Sequence, residues 1–495
     1  MTTNGITAGG AVGRSDAPAP ASQDTPVTTP APERTPQRSG VFRSLRVRNY
    51  RLYASGQLIS QTGAWMQRVA QDWLVLNLTH NSGIALGLVT ALQFGPFLVF
   101  GLWGGVLADR MDKRRLLFAT QTGLALMALT LGVLDVTGVV RYWHVLTMAA
   151  LLGIVSSIDA PTRQSFVVEM VGKDDLPNAV ALNSTTFNGA RIVGPAIAGL
   201  MIGAVGTGWA FLANALSSVA VLAGLYLMRP AELFPAPPVA RERGQFREGL
   251  RYVRSRNDLM LTMILVFVLN TFGFNFQVTS ALIAKLVFHR TATGYGLLTT
   301  SLAVGALLGA AFSARRTARP TRLFLVAAAT AFGVVEVAAG LMPSFGLTAL
   351  TLAAAGLSML VFSNATNAAV QMGVEPTMRG RIMALYMVCG NGGAPVGSLL
   401  AGWVADAFGA RWSLIGGGLI SAAAGVGLGL LISRRRGLDV GDLVRRVDHA
   451  RPHMPHAVAR PVVSHTRASA RRGRSQAASE SGSGRRAGRP LARPG

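Results

Sequence analysis

The sequence predicts an all-α membrane protein: twelve transmembrane helices in two six-helix repeats of the same orientation. Three observations carry that expectation. Half of the 495 residues are apolar by type and only 14% are charged, against about 25% in a soluble domain. The apolar residues fall into twelve stretches close to the ~20 residues that a bilayer demands of a spanning helix. The two sets of six also share a register at an offset of 203 residues.

Taken in order, the stretches are 51–78, 83–108, 116–136, 143–165, 177–204 and 208–228, then 259–285, 292–313, 321–341, 346–371, 381–405 and 411–433. Basic residues alternate from one connection to the next. One set holds Arg43, Arg46, Arg48 and Arg51, then Arg110, Lys113, Arg114 and Arg115, then seven Arg between Arg229 and Arg256. It continues with Arg315, Arg316, Arg319, Arg322, Arg379 and Arg381. The other set holds Arg141, Lys285, Arg290 and Arg411. The positive-inside rule therefore puts both termini and the central connection in the cytoplasm, which requires an even number of spans. The expected organisation is a disordered tail at 1–44, a six-helix bundle at 45–228, a linker at 229–258, a second bundle at 259–433 and an Arg-rich disordered tail at 434–495. The first tail is Thr, Pro, Ala, Ser and Gly without the apolar core of a secretory leader. The second has fifteen Arg, no Lys and no aromatic residue, so it suits an anionic lipid surface better than nucleic acid.

The internal match is specific. Ala181-Leu182 pairs with Ala384-Leu385, Asn188-Gly189 with Asn391-Gly392, and Gly194 with Gly397. Ala198-Gly199 pairs with Ala401-Gly402, and Trp209 with Trp412. Two repeats of one orientation are related by an axis along the membrane normal, with a substrate site between them near the midplane. The connection after the second span reads Gly105-Val106-Leu107-Ala108-Asp109-Arg110-Met111-Asp112-Lys113-Arg114-Arg115. It resembles the signature loop of the major facilitator superfamily, with Asp112 where that pattern has a second Gly. The fifth span carries Gly189, Gly194, Pro195, Ala198 and Gly199 and resembles the Gly-Pro motif of drug/proton antiporters. Together with Pro161-Thr162-Arg163 and Leu176-Pro177-Asn178-Ala179, these features resemble the exporter branch of enterobactin-exporter and macrolide-efflux-like proteins. The resemblance covers roughly 45–433. It implies alternating access driven by an ion gradient and a gate at the signature loop, with Asp109, Arg110 and Arg114 as latch residues. Gly194 and Pro195 would allow close packing and bending.

The polar residues inside spans nominate the site. On the first span Gln57, Gln61, Trp65, Arg68 and Asp72 recur at steps of four and three, one helical face that lipid does not accept. Gln57 and Gln61 suit a cavity wall, and Arg68 and Asp72 can neutralise one another. Arg191 lies near the bilayer centre of the fifth span, where lipid exposure costs about 2.5–3.5 kcal/mol. It shares a face with Ser184 and Asn188 and needs a carboxylate, backbone carbonyls or an anionic substrate. Asp159 and Arg163, four apart in the fourth span, are the partners that the pattern suggests. Protonation of Asp159 would release an Arg, which makes Asp159, Arg163 and Asp72 the proton-coupling candidates. Asn275 (with Thr271 and Thr279), Asn364 and Asn367 (with Gln371) offer uncharged cavity faces, or equally interhelical hydrogen bonds. Glu336 sits in a span that the resemblance makes peripheral.

Enzyme, metal and nucleotide chemistry find no support. The single Cys389 forms no cluster, four of the seven His fall in the last tail, and no Gly-rich phosphate loop is present. No cofactor is expected. The expected function is proton-coupled efflux of a small, partly apolar molecule across the plasma membrane by a monomer without nucleic acid. Import or lysolipid flipping by the same fold, and a membrane-anchored scaffold with a polybasic tail, are the alternatives.

Overall fold

The protein is described by a computed structural model covering residues 40, 42–234, 245–316 and 318–436, and its regular structure there is helical. The tails expected at 1–44 and 434–495 lie outside the described residues, apart from their innermost few. One compact unit spans Met1–Ile432; of the remainder, Ser433–Gly495, the described part is the end of the last helix.

The helices are α1 (Arg48–Leu78), α2 (Gly83–Arg110), α3 (Lys113–Val136), α4 (Tyr142–Val205) and α5 (Thr207–Tyr226). A linker helix α6 (Gln245–Ser255) precedes α7 (Asn257–Val268) and α8 (Phe276–Leu282). Then follow α9 (Ala292–Ala314), α10 (Arg322–Leu341), α11 (Phe345–Gly373), α12 (Arg379–Gly392), α13 (Ala394–Phe408) and α14 (Ala410–Arg436). Ten helical stretches among the described residues are long and apolar enough to cross a bilayer. One of them, α4, has 64 residues, or ~96 Å of helix, three times the hydrocarbon thickness. It breaks at Gly172, whose φ of 70° and ψ of −177° are open to a residue without Cβ, and so supplies two passes. α1 is too polar to join the ten, although it is 31 residues long and packs against α4 and α5. With α1 and both arms of α4 counted, twelve spans result. α7 and α8 form a single span, Asn257–Val287, interrupted by a π-helical turn at Leu269–Gly273.

Large apolar side chains, among them Trp103, Leu216 and Leu350, remain exposed along the helices. Water does not tolerate so much contiguous apolar surface, whereas lipid requires it. The side chains of Trp209 and Trp412, one at the start of α5 and one at the start of α14, are half exposed, as indoles in the interfacial belt are.

The repeat reappears in the contacts. A Cβ on Gly194 would stand 2.5 Å from that of Trp65 on α1, and one on its counterpart Gly397 would overlap the Thr271 carbonyl in the π turn. Gly199 seats Thr293 of α9, and its counterpart Gly402 seats Gly83 of α2. The same two glycines of each repeat thus hold the first helix of their own half and a helix of the opposite half. The halves meet through α4 on α9 and α2 on α13. Gly189, a further glycine of the same motif, has no atom within 4 Å of an added Cβ.

Within the linker, amphipathic α6 packs on α7 and α12 and pairs Glu248 with Arg381 at 2.7 Å. At the signature loop, Asp112 caps α3 by accepting from the Arg115 amide at 2.9 Å. Its φ of −57° needs no glycine, which explains how the loop accommodates the substitution.

Gly305 tests the close packing, because an added Cβ overlaps the Ala353 carbonyl on α11. Gly305→Val should cost about 1–3 kcal/mol by overpacking, read as a lower thermal midpoint of the purified protein. Gly123→Val, at a position with no neighbour within 4 Å, should leave the midpoint nearly unchanged.

Candidate functional site: two charged cavities of the bundle

Two cavities of the described bundle carry buried charged side chains. The larger, ≈ 280 Å³, is walled by α1 to α5 with Asn391 of α12. The smaller, ≈ 150 Å³, lies between α1 and the second arm of α4 on one side and the α7–α8 span, α9 and α11 on the other. Arg68 lines both.

The wall of the larger cavity is built by helical spacing. Ser60, Gln61, Ala64, Gln67, Arg68 and Gln71 of α1 face it together, a polar stripe about one residue wider than the one read from sequence. Asn214 of α5 donates to Gln67 at 2.5 Å. Gln93 and Gln121 add amides from α2 and α3. Asp159, buried at the rim, accepts from Thr120 and Gln121, each at 2.8 Å. Arg163 lies 3.3 Å from its other oxygen and reaches Gln57 at 3.5 Å. Asp159, Arg163 and Gln57 are thus one network; the spacing put the first two on one face, whereas Gln57, expected on the cavity wall, lines neither cavity and joins them through packing.

The second constellation departs from expectation. Asp72 is fully buried, but Arg68 does not pair with it. Its two oxygens receive the Tyr295 hydroxyl at 2.6 Å and the Gln277 amide at 3.0 Å, both from the opposite half. Arg68 instead stacks over Trp65 at 4.4 Å, and Arg191 approaches the same indole at 5.8 Å. Arg191 lines the smaller cavity, and Asp159 and Arg163 line the larger one. The partnership suggested for Arg191 is therefore not formed in this structure. The seat for Trp65 at Gly194 brings these aromatic and cationic groups together.

The remaining candidates scatter. Asn188 and Asn275 donate to backbone carbonyls of their own helices, those of Ser184 and Thr271. Asn367 accepts from Gln371, and Asn364 lines a separate ≈ 60 Å³ pocket among α9, α10 and α11. Arg114 donates to the carbonyls of Leu225 and Tyr226 at 2.7 and 2.9 Å, at the C-terminal end of α5, and Arg110 is exposed. The Asp109 side chain, the expected latch, lies outside the described residues. Glu336 is buried against Gly273 and Gly417, away from both cavities.

Contacts between the halves lie toward the end of the bundle opposite the linker. There Asp406 of α13 accepts from the amides of Gly83 and Ile84 at 2.6 and 2.9 Å and from the Ser82 hydroxyl at 3.1 Å. A carboxylate so placed also complements the positive end of the α2 dipole. Lys285 reaches Asn77 at 2.5 Å, and Thr293 donates to the Gly199 carbonyl at 2.9 Å. At the linker end, among the described residues, the ion pairs stay within a half, such as Lys113 with Glu169 at 2.5 Å and Arg256 with Asp258 at 2.7 Å. Asp72, Tyr295, Gln277 and Asp406 escaped the sequence reading as a gate because each pair is formed across the halves. Only Asp72 stood out, as the outermost charge of a polar stripe.

Tyr295→Phe and Asp72→Asn should each destabilise the closed end. A double-mutant cycle on thermal stability should give a coupling of about 1–3 kcal/mol, and strictly additive effects would remove this bond as a clasp.

Residues 35–466 match the family described as transmembrane secretion effectors. The chain is 25% identical over 371 residues to the staphyloferrin A transporter of Staphylococcus aureus, covering 72% of this chain and 89% of that one. It is 23% identical over 399 residues to macrolide efflux protein A of Streptococcus pyogenes, covering 77% and 96%. Identity to the enterobactin exporter EntS of Shigella boydii is 26% over 390 residues, covering 77% and 89%. In fold it is similar to a bacterial homologue of the lysosomal transporter Spinster, inward-facing and occupied (TM-score 0.59, 16% identity, 80% of this chain and 98% of that one). The nucleoside transporter NupG gives a TM-score of 0.61 at 12% identity, covering 78% and 99%. The loop motif, the doubled six-helix architecture and these matches agree: the chain is a multi-pass membrane transporter of the major facilitator superfamily, not an enzyme, and it belongs to the transmembrane secretion effector family.

Proposed function

We propose that this transporter exports a small, partly apolar molecule across the plasma membrane by alternating access, in exchange for protons. The observation that carries the reading is the asymmetry of the inter-half contacts. The larger cavity is walled by the first half with Asn391 of the second, the smaller lies between the halves, and among the described residues the hydrogen bonds that join the halves run from the wall of the smaller cavity, at Asp72, Tyr295 and Gln277, to the end away from the linker, at Asp406. With both termini and the linker in the cytoplasm, as the distribution of Arg and Lys favours, this is a state closed to the outside. Export is favoured over import by the family description and by the relatives that are named for efflux.

Asp159 is the proton-carrying group in this scheme. As a carboxylate it holds Arg163 at 3.3 Å while Thr120 and Gln121 satisfy its other oxygen. A proton taken from outside would replace the cation at that oxygen and release Arg163, which already reaches Gln57 and lines the cavity, from its carboxylate partner. The proton would then leave to the cytoplasm when the halves reopen there. Asp72 is the second titratable group at the inter-half seam, and its release from Tyr295 and Gln277 accompanies opening to the outside. The protein works as a monomer and takes no nucleic acid in this scheme.

The test is efflux of a fluorescent substrate from cells expressing the gene, with and without a protonophore. Export should stop when the gradient collapses, and Asp159→Asn should abolish the dependence on external pH. Arg191→Ala should reduce transport to background while the protein still reaches the membrane. Accumulation in place of extrusion, or efflux indifferent to the protonophore, would falsify the scheme.

A further inference from the structure

We infer that the smaller cavity is an anion site, and that the molecule carried presents a carboxylate on an apolar or aromatic body. The inference rests on the transport reading above and names the substrate class that reading leaves open.

Its starting point is an imbalance of charge. Five charged groups face the two cavities: Arg68, Arg163 and Arg191 against Asp72 and Asp159. Asp159 is matched by Arg163 at 3.3 Å. Asp72 has both oxygens occupied by the neutral donors Tyr295 and Gln277. Among the described residues, neither Arg68 nor Arg191 donates a hydrogen bond or forms an ion pair. Both rest on the Trp65 indole, at 4.4 and 5.8 Å from its centre. Two guanidiniums in mid-membrane without an acceptor are costly, and like charges packed on one ring repel. A cation–π contact offsets part of that, but it leaves the N–H forks open. A planar guanidinium without an acceptor, lining a cavity, is pre-shaped for a carboxylate, which it binds through two parallel hydrogen bonds.

The rest of the wall defines the remainder of the ligand. Trp65, Val69, Phe274, Phe276, Leu302 and Met359 supply an apolar lining, Thr299 supplies a hydroxyl, and Asp72 completes the wall with both its oxygens already taken by Tyr295 and Gln277. The site therefore recognises one charged end and one apolar end. A cationic solute would meet two unpaired arginines. Arg68 also borders the larger cavity, so the same guanidinium can follow the anion from one cavity to the next.

The test uses the full chain in lipid nanodiscs. Thermal unfolding is followed with naphthoate, its neutral carboxamide and naphthylmethylammonium as probes. Naphthoate should raise the midpoint saturably, and the amide and ammonium should bind weaker by about tenfold or more. Arg68→Gln and Arg191→Gln should each weaken naphthoate by about tenfold, and Arg191→Lys should fall between wild type and Arg191→Gln. The lysine variant keeps the charge and loses the fork, so it reports on the site even if a glutamine variant does not fold. Equal binding of acid and amide, or naphthoate binding unchanged in both glutamine variants, overturns the anion site. Efflux assays separate the two readings. Extrusion of a cationic dye with no preference for carboxylates removes the anion site and leaves export standing. Naphthoate binding with no gradient-driven extrusion removes export and leaves the anion site.

Discussion

An ionised side chain in the middle of a bilayer cannot face the lipid, and much of the architecture follows from that constraint. Arg68 and Asp72 on α1 and Arg191 on the second arm of α4 lie inside spanning helices. Exposing one such group to hydrocarbon costs about 2.5–3.5 kcal/mol or more. α1 must therefore turn its charged stripe away from lipid, and it does so by packing into α4 and α5. The second arm of α4 turns Arg191 the same way, toward the opposite half. The polar faces of the two bundles then have only each other, and the space between them, as an environment.

Asp72 shows how such a group can be stabilised without being fixed permanently. A buried ion pair with Arg68 would tie two residues of one helix and would not distinguish one arrangement of the halves from another. Hydrogen bonds from Tyr295 and Gln277 exist only while α1 lies against α9 and the α7–α8 span. The carboxylate is satisfied in the closed arrangement and must find water when the halves part. Asp406 at the start of α2 follows the same logic, since its three donors all belong to the other half. The arginines displaced from carboxylates fall back on Trp65. Two guanidiniums on one indole repel each other, a term that a bound anion would reverse.

The glycines explain how such contacts are reached. Gly194 and Gly397, at equivalent positions of the repeats, bring the first helix of each half into close contact with the fifth. Gly199 and Gly402 do the same across the seam. Four small residues thus fix the approach of both intra-half and inter-half pairs. They stand at one offset of 203 residues, as the interfacial Trp209 and Trp412 do.

The twelve spans, their limits to within a few residues, the doubling at 203 residues and the inward turn of Gln61, Asp72, Asp159 and Arg191 were all legible in the sequence. They depend on local composition, on helical period, and on the rule that lipid rejects charge. The network of Asp159, Arg163 and Gln57 was nearly legible, because two of its members are four apart on one helix. What tertiary structure alone decided is who meets whom across the halves. Arg191 shares a cavity with Arg68 and Trp65 in place of Asp159, and Asp72 binds residues more than 200 positions away. Asn188, Asn275 and Asn367 spend their hydrogen bonds close to home. Periodicity reports the face on which a residue stands; the partner on that face is set by the rotation and depth at which two bundles dock, and those are properties of packing.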